Sequence, residues 1–230
     1  MIEHPPADVC IIGGGAAGLL MCRLLAEAGL QVTVLEAGPA YPDPRRDFVE
    51  DELAGRKLWW PEQYGVSGTA LRTALNAGRG LGGTSLLWSG AVFRLFPEDL
   101  RALTTHGQPP DASLADWPLT YEALAPYYDL VEGHIGVAGA IGPHDVPGRQ
   151  PFPQPPHGLH RHSTILKEGF EALGLTWQPG PMAILSQPRP GREACCYCGF
   201  CTQGCRTGAL YNSAIVELPA ALETCLLYTS

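Results

Sequence analysis

The sequence predicts an α/β fold, and three observations carry that prediction. An apolar run, Asp8-Val9-Cys10-Ile11-Ile12, ends in the glycine turn Gly13-Gly14-Gly15-Ala16-Ala17-Gly18. A helical pattern follows through Leu19, Leu20, Leu24, Leu25 and Ala28 and stops at Gly29. A second strand-like run, Gln31-Val32-Thr33-Val34-Leu35, then closes on Glu36. Strand, glycine turn, helix and strand in that order make a parallel β-α-β unit, the opening of a Rossmann-like domain.

Each part of the turn has a physical reason. Gly13 permits the tight bend, Gly15 lets the backbone approach a pyrophosphate, and Gly18 lets the helix lie close to the strand. The helix N-terminus adds unpaired N–H groups and a partial positive charge for phosphates. Glu36 stands where a carboxylate accepts hydrogen bonds from ribose hydroxyls, which argues against a 2′-phosphate and so against NADP. A second glycine-rich loop, Gly78-Arg79-Gly80-Leu81-Gly82-Gly83-Thr84-Ser85, offers Arg79 as a charge-assisted donor and Thr84 and Ser85 as hydroxyl donors. A dinucleotide gripped again beyond its first phosphate turn is a long one, and FAD meets that description.

Bulk composition narrows the function classes. At 230 residues the chain can bury a real core, as one large domain or two small ones, and 28 glycines with 22 prolines point to many turns rather than a helical bundle. A net charge of −8 without a Lys/Arg cluster excludes nucleic acid as a partner on electrostatic grounds. The apolar stretch Val9 to Cys22 is broken by glycines and stopped by Arg23, too short to span a bilayer, and Met1 to Asp8 lacks the layout of a signal peptide. The chain is therefore expected to be soluble as made, whether it stays in the cytoplasm or is exported and held at a membrane through a partner.

In the middle of the chain, Pro97 to Leu103 and Thr120 to Glu132 have helical spacing, with Thr120 as N-cap and Pro126 expected to start a turn or kink the second segment. Leu124, Tyr127, Tyr128 and Val131 form an apolar stripe assigned to packing. Gly139 to Gly158 reads as an extended connection. His157, His160 and His162 alternate without an acidic or cysteine partner beside them and are expected to be exposed loop histidines. Ser163 to Leu173 predicts a capped amphipathic helix closed by Gly174, and Leu175–Gln178 and Met182–Leu185 read as strands.

Cys195-Cys196-Tyr197-Cys198-Gly199-Phe200-Cys201-Thr202-Gln203-Gly204-Cys205 packs five of the eight cysteines into one stretch. Crowded thiols oxidise or capture metal, so such density points to a metal site, a redox site or disulfides, and a chain this long needs no disulfide staples. Cys195, Cys198, Cys201 and Cys205 follow the C-x-x-C-x-x-C-x-x-x-C spacing of bacterial ferredoxins, although Arg206 stands where that motif has proline. Four thiolates also suit structural zinc, and a metal-free loop is the third reading.

The stretches Asp8 to Gly38, Gly78 to Leu100 and Asp116 to Gly136 resemble the N-terminal half of the glucose-methanol-choline (GMC) oxidoreductases. Gly80 to Gly90, Phe93-Arg94-Leu95-Phe96-Pro97-Glu98-Asp99-Leu100, Asp116-Trp117-Pro118-Leu119 and Tyr127-Tyr128 are most similar to the catalytic subunits of bacterial membrane-associated sugar and sugar-acid dehydrogenases. Leu87 and Trp88 stand where that family often has Asn or His near the flavin. The resemblance implies a p-hydroxybenzoate-hydroxylase-like FAD-binding domain over residues 1–140, then a linker and partial α+β substrate domain with the cysteine loop over 141–224. It implies FAD held by Gly13, Gly15, Gly18, Glu36, Arg79, Gly82, Gly83, Thr84 and Ser85, and a [3Fe-4S] cluster on Cys195, Cys201 and Cys205 with Cys198 left out. The implied activity is oxidation of a CH–OH group of a sugar, polyol or sugar acid by hydride transfer to flavin, with a small subunit and a cytochrome acceptor as partners. The family's catalytic His, paired with His or Asn, lies near its C-terminus and no residue here matches it, so no catalytic residue is named. Residues 225–230, Cys225-Leu226-Leu227-Tyr228-Thr229-Ser230, resemble the translation of a transposase-end sequencing adapter. The chain is accordingly expected to be an inactive N-terminal fragment whose own frame ends near Thr224. The rival reading is a non-catalytic nucleotide-binding module whose cysteine loop is structural.

Overall fold

The structure, a computed structural model, describes residues 6–59 and 77–223 together with the backbone of 227–229. In chain order its elements are β1 (Val9–Ile12), α1 (Ala16–Glu27), β2 (Val32–Leu35), α2 (Pro44–Asp47), α3 (Glu52–Gly55), α4 (Ala102–His106), α5 (Tyr121–Ile135), α6 (Arg161–Ala172), α7 (Ser213–Glu223) and β3 (Leu227–Thr229). They divide into two compact units, residues 1–90 with 188–230, and residues 91–187. The boundary read from chain order, at 140–141, falls inside the second unit, because the chain leaves the first unit and later returns to it.

In the first unit β1 and β2 pair in parallel from Val9↔Val32 to Ile12↔Leu35, with α1 as the crossover. The backbone of Leu227–Thr229 lies parallel to β2 on its other side, giving the order β1-β2-β3. Main-chain pairing asks little of the side chains and is neutral on the origin of these residues; Cys225, Leu226 and Ser230 lie outside the described residues. One face of the sheet is covered by α1 and α7, where Cys22, Val32, Val34 and Ala221 are buried together with Val9, Ile11 and Leu25 packed around them. The period-2 alternation of a strand sends Cys10, Ile12 and Leu35 to the opposite, exposed face. On α7, Glu217 is fully buried, 3.2 Å from Arg23 of α1, and accepts the Tyr211 hydroxyl at 2.9 Å.

The second unit rests on α5. Thr120 is its N-cap, accepting from the Ala123 N–H at 3.3 Å, and Gly136 ends it in the left-handed region at φ +82°. The helix continues through Pro126 to Ile135, so of the turn or kink predicted there the turn is not formed. Glu122 and Pro126 both lie on the exposed side, where solvent replaces the N–H that proline cannot give. The predicted apolar stripe is half correct. Leu124 and Tyr128 pack with Leu100, Tyr121 and Val146, but Tyr127 and Val131 are exposed, since the 3.6-residue period turns them off the covered face.

Other elements also moved from their predicted places. A 3-10 turn at Asp99–Arg101 leads into α4, so that helix starts after Pro97 and outlasts Leu103. Helix α6 begins at Arg161 with no side-chain cap, two residues before the predicted start at Ser163. His157 is half-buried with its Nε2 2.9 Å from the Ile184 carbonyl, while His160 and His162 are exposed and stacked. The two predicted strands are not strands: Met182 makes single bridges to Ala91 and Ala138, and 175–178 makes none. Pro179-Gly180-Pro181 interrupts the run and withholds the donors a ladder needs.

Beneath α5 a buried ionic network joins distant segments. Arg94 donates to both Glu132 oxygens at 2.8 and 2.7 Å, to Asp129 at 2.5 Å and to the Tyr121 hydroxyl at 3.2 Å. Arg149 donates to the same Glu132 at 2.6 Å and to Asp145 at 3.1 Å. The bonds to Glu132 are the chief reason the Arg94 guanidinium is held protonated even more firmly than usual. At the exposed start of α5, Thr120→Ala is expected to cost about 1 kcal/mol, read from the midpoint of urea unfolding. No helix among the described residues is long and apolar enough to cross a membrane.

Candidate cofactor site and cysteine loop

The glycine turn between β1 and α1 has the shape its sequence predicts. A Cβ on Gly18 would sit 2.1 Å from the Gly13 carbonyl oxygen, a contact no side chain tolerates, so only glycine lets α1 start this close to β1. Gly15 is the N-cap of α1 and provides no side-chain acceptor, which leaves the first N–H groups of the helix for another partner. A Cβ on Gly15 would meet nothing within 4 Å. Glycine here is demanded by space kept open, and the space lies at the positive end of a helix.

The second glycine loop folds back over the first. Gly82 N–H donates to the Gly14 carbonyl at 2.7 Å, and a Cβ on Gly83 would stand 3.1 Å from the Gly15 Cα. Glu36 joins the end of β2 to the turn: its carboxylate accepts the Gly14 N–H and the Gly38 N–H, each at 2.8 Å, one on each oxygen. Each oxygen keeps a further lone pair. Arg79 donates its backbone N–H to Leu58 at 2.7 Å, and its charge partly offsets the burial that raises the Tyr41 phenol. Thr84 Oγ1 accepts the Gly78 N–H at 3.3 Å. Ser85 is buried, donates to the Gly82 carbonyl at 2.5 Å and accepts the Ser213 N–H at 3.2 Å. The Ser85 hydroxyl thus donates within the protein, whereas Thr84 Oγ1 acts as an acceptor, and both contacts fix the loop.

The cysteine loop belongs to the same unit. Cys195, Cys196, Cys198, Cys201 and Cys205 are free thiols. The loop is wedged against the 48–55 segment: a Cβ on Gly204 would lie 2.4 Å from the Phe48 ring, and one on Gly55 2.4 Å from the Gln203 side chain. Tyr197, in the left-handed region at φ +57°, donates its N–H to Cys195 Sγ at 3.3 Å. Cys205 Sγ accepts the Leu210 N–H at 3.4 Å. Burial pushes the Cys201 thiol up to about 11, and the neighbouring Cys205, Cys195 and Cys198 add to it. A metal entering here displaces protons. Among Cys195, Cys198, Cys201 and Cys205 no three sulfurs lie within 4.8 Å of one another. Thiolates sharing one tetrahedral zinc stand about 3.8 Å apart, closer than any three of these sulfurs lie here. Cys198 lies instead beside Cys196 and Glu50.

Comparison with known proteins places the fold. The family profile described as FAD dependent oxidoreductase matches residues 8–43, the β-α-β unit and Glu36. The 2-methyl-1,2-propanediol dehydrogenase of Mycolicibacterium austroafricanum is 32% identical, over 94% of this chain and 40% of its own length. The fructose dehydrogenase large subunit of Gluconobacter japonicus is 29% identical, over 95% of this chain and 44% of its own. Pyridoxine 4-oxidase from Mesorbium loti shares the fold, with a TM-score of 0.56 at 22% identity over 97% of this chain and 42% of that one. The chain is the N-terminal FAD-binding part of a GMC oxidoreductase. It spans about two fifths of the length of the curated relatives it matches.

Within this GMC chain, sequence reasoning missed the residues that back the second loop. Asn212 is buried, caps α7 by accepting the Ala214 N–H at 2.9 Å, and its side-chain oxygen would lie 2.6 Å from a Cβ on Gly82. Asn-Ser ahead of an apolar helical run was the available signal. Trp88 donates its indole N–H to the Tyr211 carbonyl at 2.8 Å and so serves the same junction. Glu50, far from the cysteines in sequence, gave no signal at all.

Proposed function

We propose that this chain is the cofactor-holding half of an FAD-dependent dehydrogenase that oxidises a CH–OH group of a sugar, polyol or sugar acid. The observation that carries the reading is the open approach to Gly15 at the start of α1, closed from above by Gly83. In this reading the free N–H groups of α1 hold the pyrophosphate, the remaining lone pairs of Glu36 receive the ribose hydroxyls, and the backbone of Gly82 and Gly83 grips the dinucleotide beyond its first turn. When bound, FAD supplies the hydride acceptor for the substrate carbon. Glu36→Ala is expected to weaken FAD binding by about 1 to 3 kcal/mol, the contribution of a charged hydrogen bond. A full-length protein that is colourless and takes up no added FAD would sink the proposal.

The cysteine loop extends the reading to electron delivery. Cys195, Cys201 and Cys205 are assigned to a [3Fe-4S] cluster, which supplies single-electron steps between a two-electron donor and a cytochrome-type acceptor. The N–H groups of Tyr197 and Leu210, already directed at the sulfurs of Cys195 and Cys205, suit thiolate ligands of such a cluster. In the full-length protein, Cys201→Ser is expected to abolish iron and leave flavin reduction by substrate intact, whereas Cys198→Ser keeps its iron. Loss of iron with Cys198→Ser would replace the three-cysteine assignment by a four-cysteine one. A relative named as a large subunit supports a small-subunit partner for the whole protein. Residues 1–224 alone are expected to show no alcohol-dependent dye reduction, because no base for the hydroxyl proton is identified among them.

A further inference from the structure

A second set of ligand atoms stands beside those assigned to iron. A carboxylate oxygen of Glu50 and the sulfurs of Cys196 and Cys198 lie within 4.8 Å of one another. They line a pocket of about 420 Å³ together with Arg45, Glu193 and Arg206. We propose that Glu50, Cys196 and Cys198 form a separate metal site for a single thiophilic divalent cation of the zinc type, with its fourth coordination position open to the pocket. The inference does not depend on whether Cys195, Cys201 and Cys205 hold iron.

Three features favour this occupant. Zinc bound by two thiolates and a carboxylate draws its ligand atoms to about 3.5 to 3.8 Å from one another. Glu50 and Cys196 are exposed, so side-chain rotation closes that gap without disturbing a core. Charge selects the valence. Arg206 pairs with Glu50 at 3.1 Å and Arg45 pairs with Glu193, which leaves the empty pocket formally neutral. A divalent ion that binds as both thiols release their protons to solvent keeps it neutral, while a monovalent ion would leave it negative and a trivalent ion positive. Two thiolates also select a thiophilic ion over calcium or magnesium. Finally, Tyr197 between the two cysteines sits at φ +57°, a conformation costly for a bulky residue and one that a chelate closed through its two neighbours would hold in place.

The test is metal analysis of the full-length protein, purified anaerobically, equilibrated with zinc and passed through a desalting column. Zinc is expected at about one per flavin, falling close to zero in Cys196→Ser and in Cys198→Ser, and sharply reduced in Glu50→Ala. Flavin measured on the same samples reports whether each variant has folded, and iron in Cys196→Ser is expected to match the parent. Titration with cadmium should give a thiolate charge-transfer band in the parent that Cys196→Ser loses. Zinc absent from the parent, zinc unchanged in Cys196→Ser, or iron lost with Cys196→Ser would each overturn the assignment. So would peptide mapping that finds Cys196 and Cys198 joined as a disulfide in the anaerobically isolated protein.

Discussion

Glu132→Ala is expected to cost about 3 to 5 kcal/mol of stability, because it removes the shared anion of two buried guanidiniums. Arg94 would keep Asp129, and Arg149 would keep Asp145, but the carboxylate that lies between the two cations would be gone. Removing one partner from a buried ionic set leaves uncompensated charge, which is the expensive outcome; replacing members together by apolar residues of similar volume is far milder. Urea unfolding should therefore rank Glu132→Ala below the parent by the full amount, with the double change Arg94→Met and Glu132→Leu recovering much of it. A loss under about 1 kcal/mol would mean that solvent reaches the network.

The second large effect separates two glycines three residues apart. Gly18→Ala drives a methyl group to within 2.1 Å of the Gly13 carbonyl, so α1 must move off β1. Destabilisation of roughly 1 to 3 kcal/mol is expected, with flavin lost as a consequence. Gly15→Ala meets no protein atom and already has a φ of −79° that alanine adopts freely, so stability should hold or rise slightly. Flavin binding should nonetheless fall steeply, since the methyl group occupies the approach to the helix N-terminus. Thermal unfolding of the apoprotein beside flavin content distinguishes the two. Gly15→Ala binding flavin as tightly as the parent would place the pyrophosphate elsewhere.

What could be read from sequence was whatever depended on neighbours along the chain. The β-α-β unit, the Thr120 cap and the glycine turn each follow from residues a few positions apart, and each is found where it was expected. Readings that needed distant partners fared worse. Met182–Leu185 has the composition of a strand, but Met182 pairs only through isolated bridges, to Ala91 and Ala138, far along the chain. Tyr127 looked like core because its apolar neighbours were visible and the helix phase was not. The backing of Ser85 by Ser213 from α7, 128 residues away, was equally out of view. For the same reason Glu50 could not be associated with Cys196 and Cys198 before the fold was known.

The return of the chain to its first unit sets an order of events during synthesis. Val32 and Val34 leave the ribosome early, yet Ala221, which completes their apolar layer, follows roughly 190 residues later, about 10 to 40 s at ordinary elongation rates. Residues 91–187, the second compact unit, are made within that interval. The nascent β-α-β unit thus spends the interval with one flank of its sheet and α1 bare, a surface open to chaperones and to aggregation, and its maturation is timed by translation of α7.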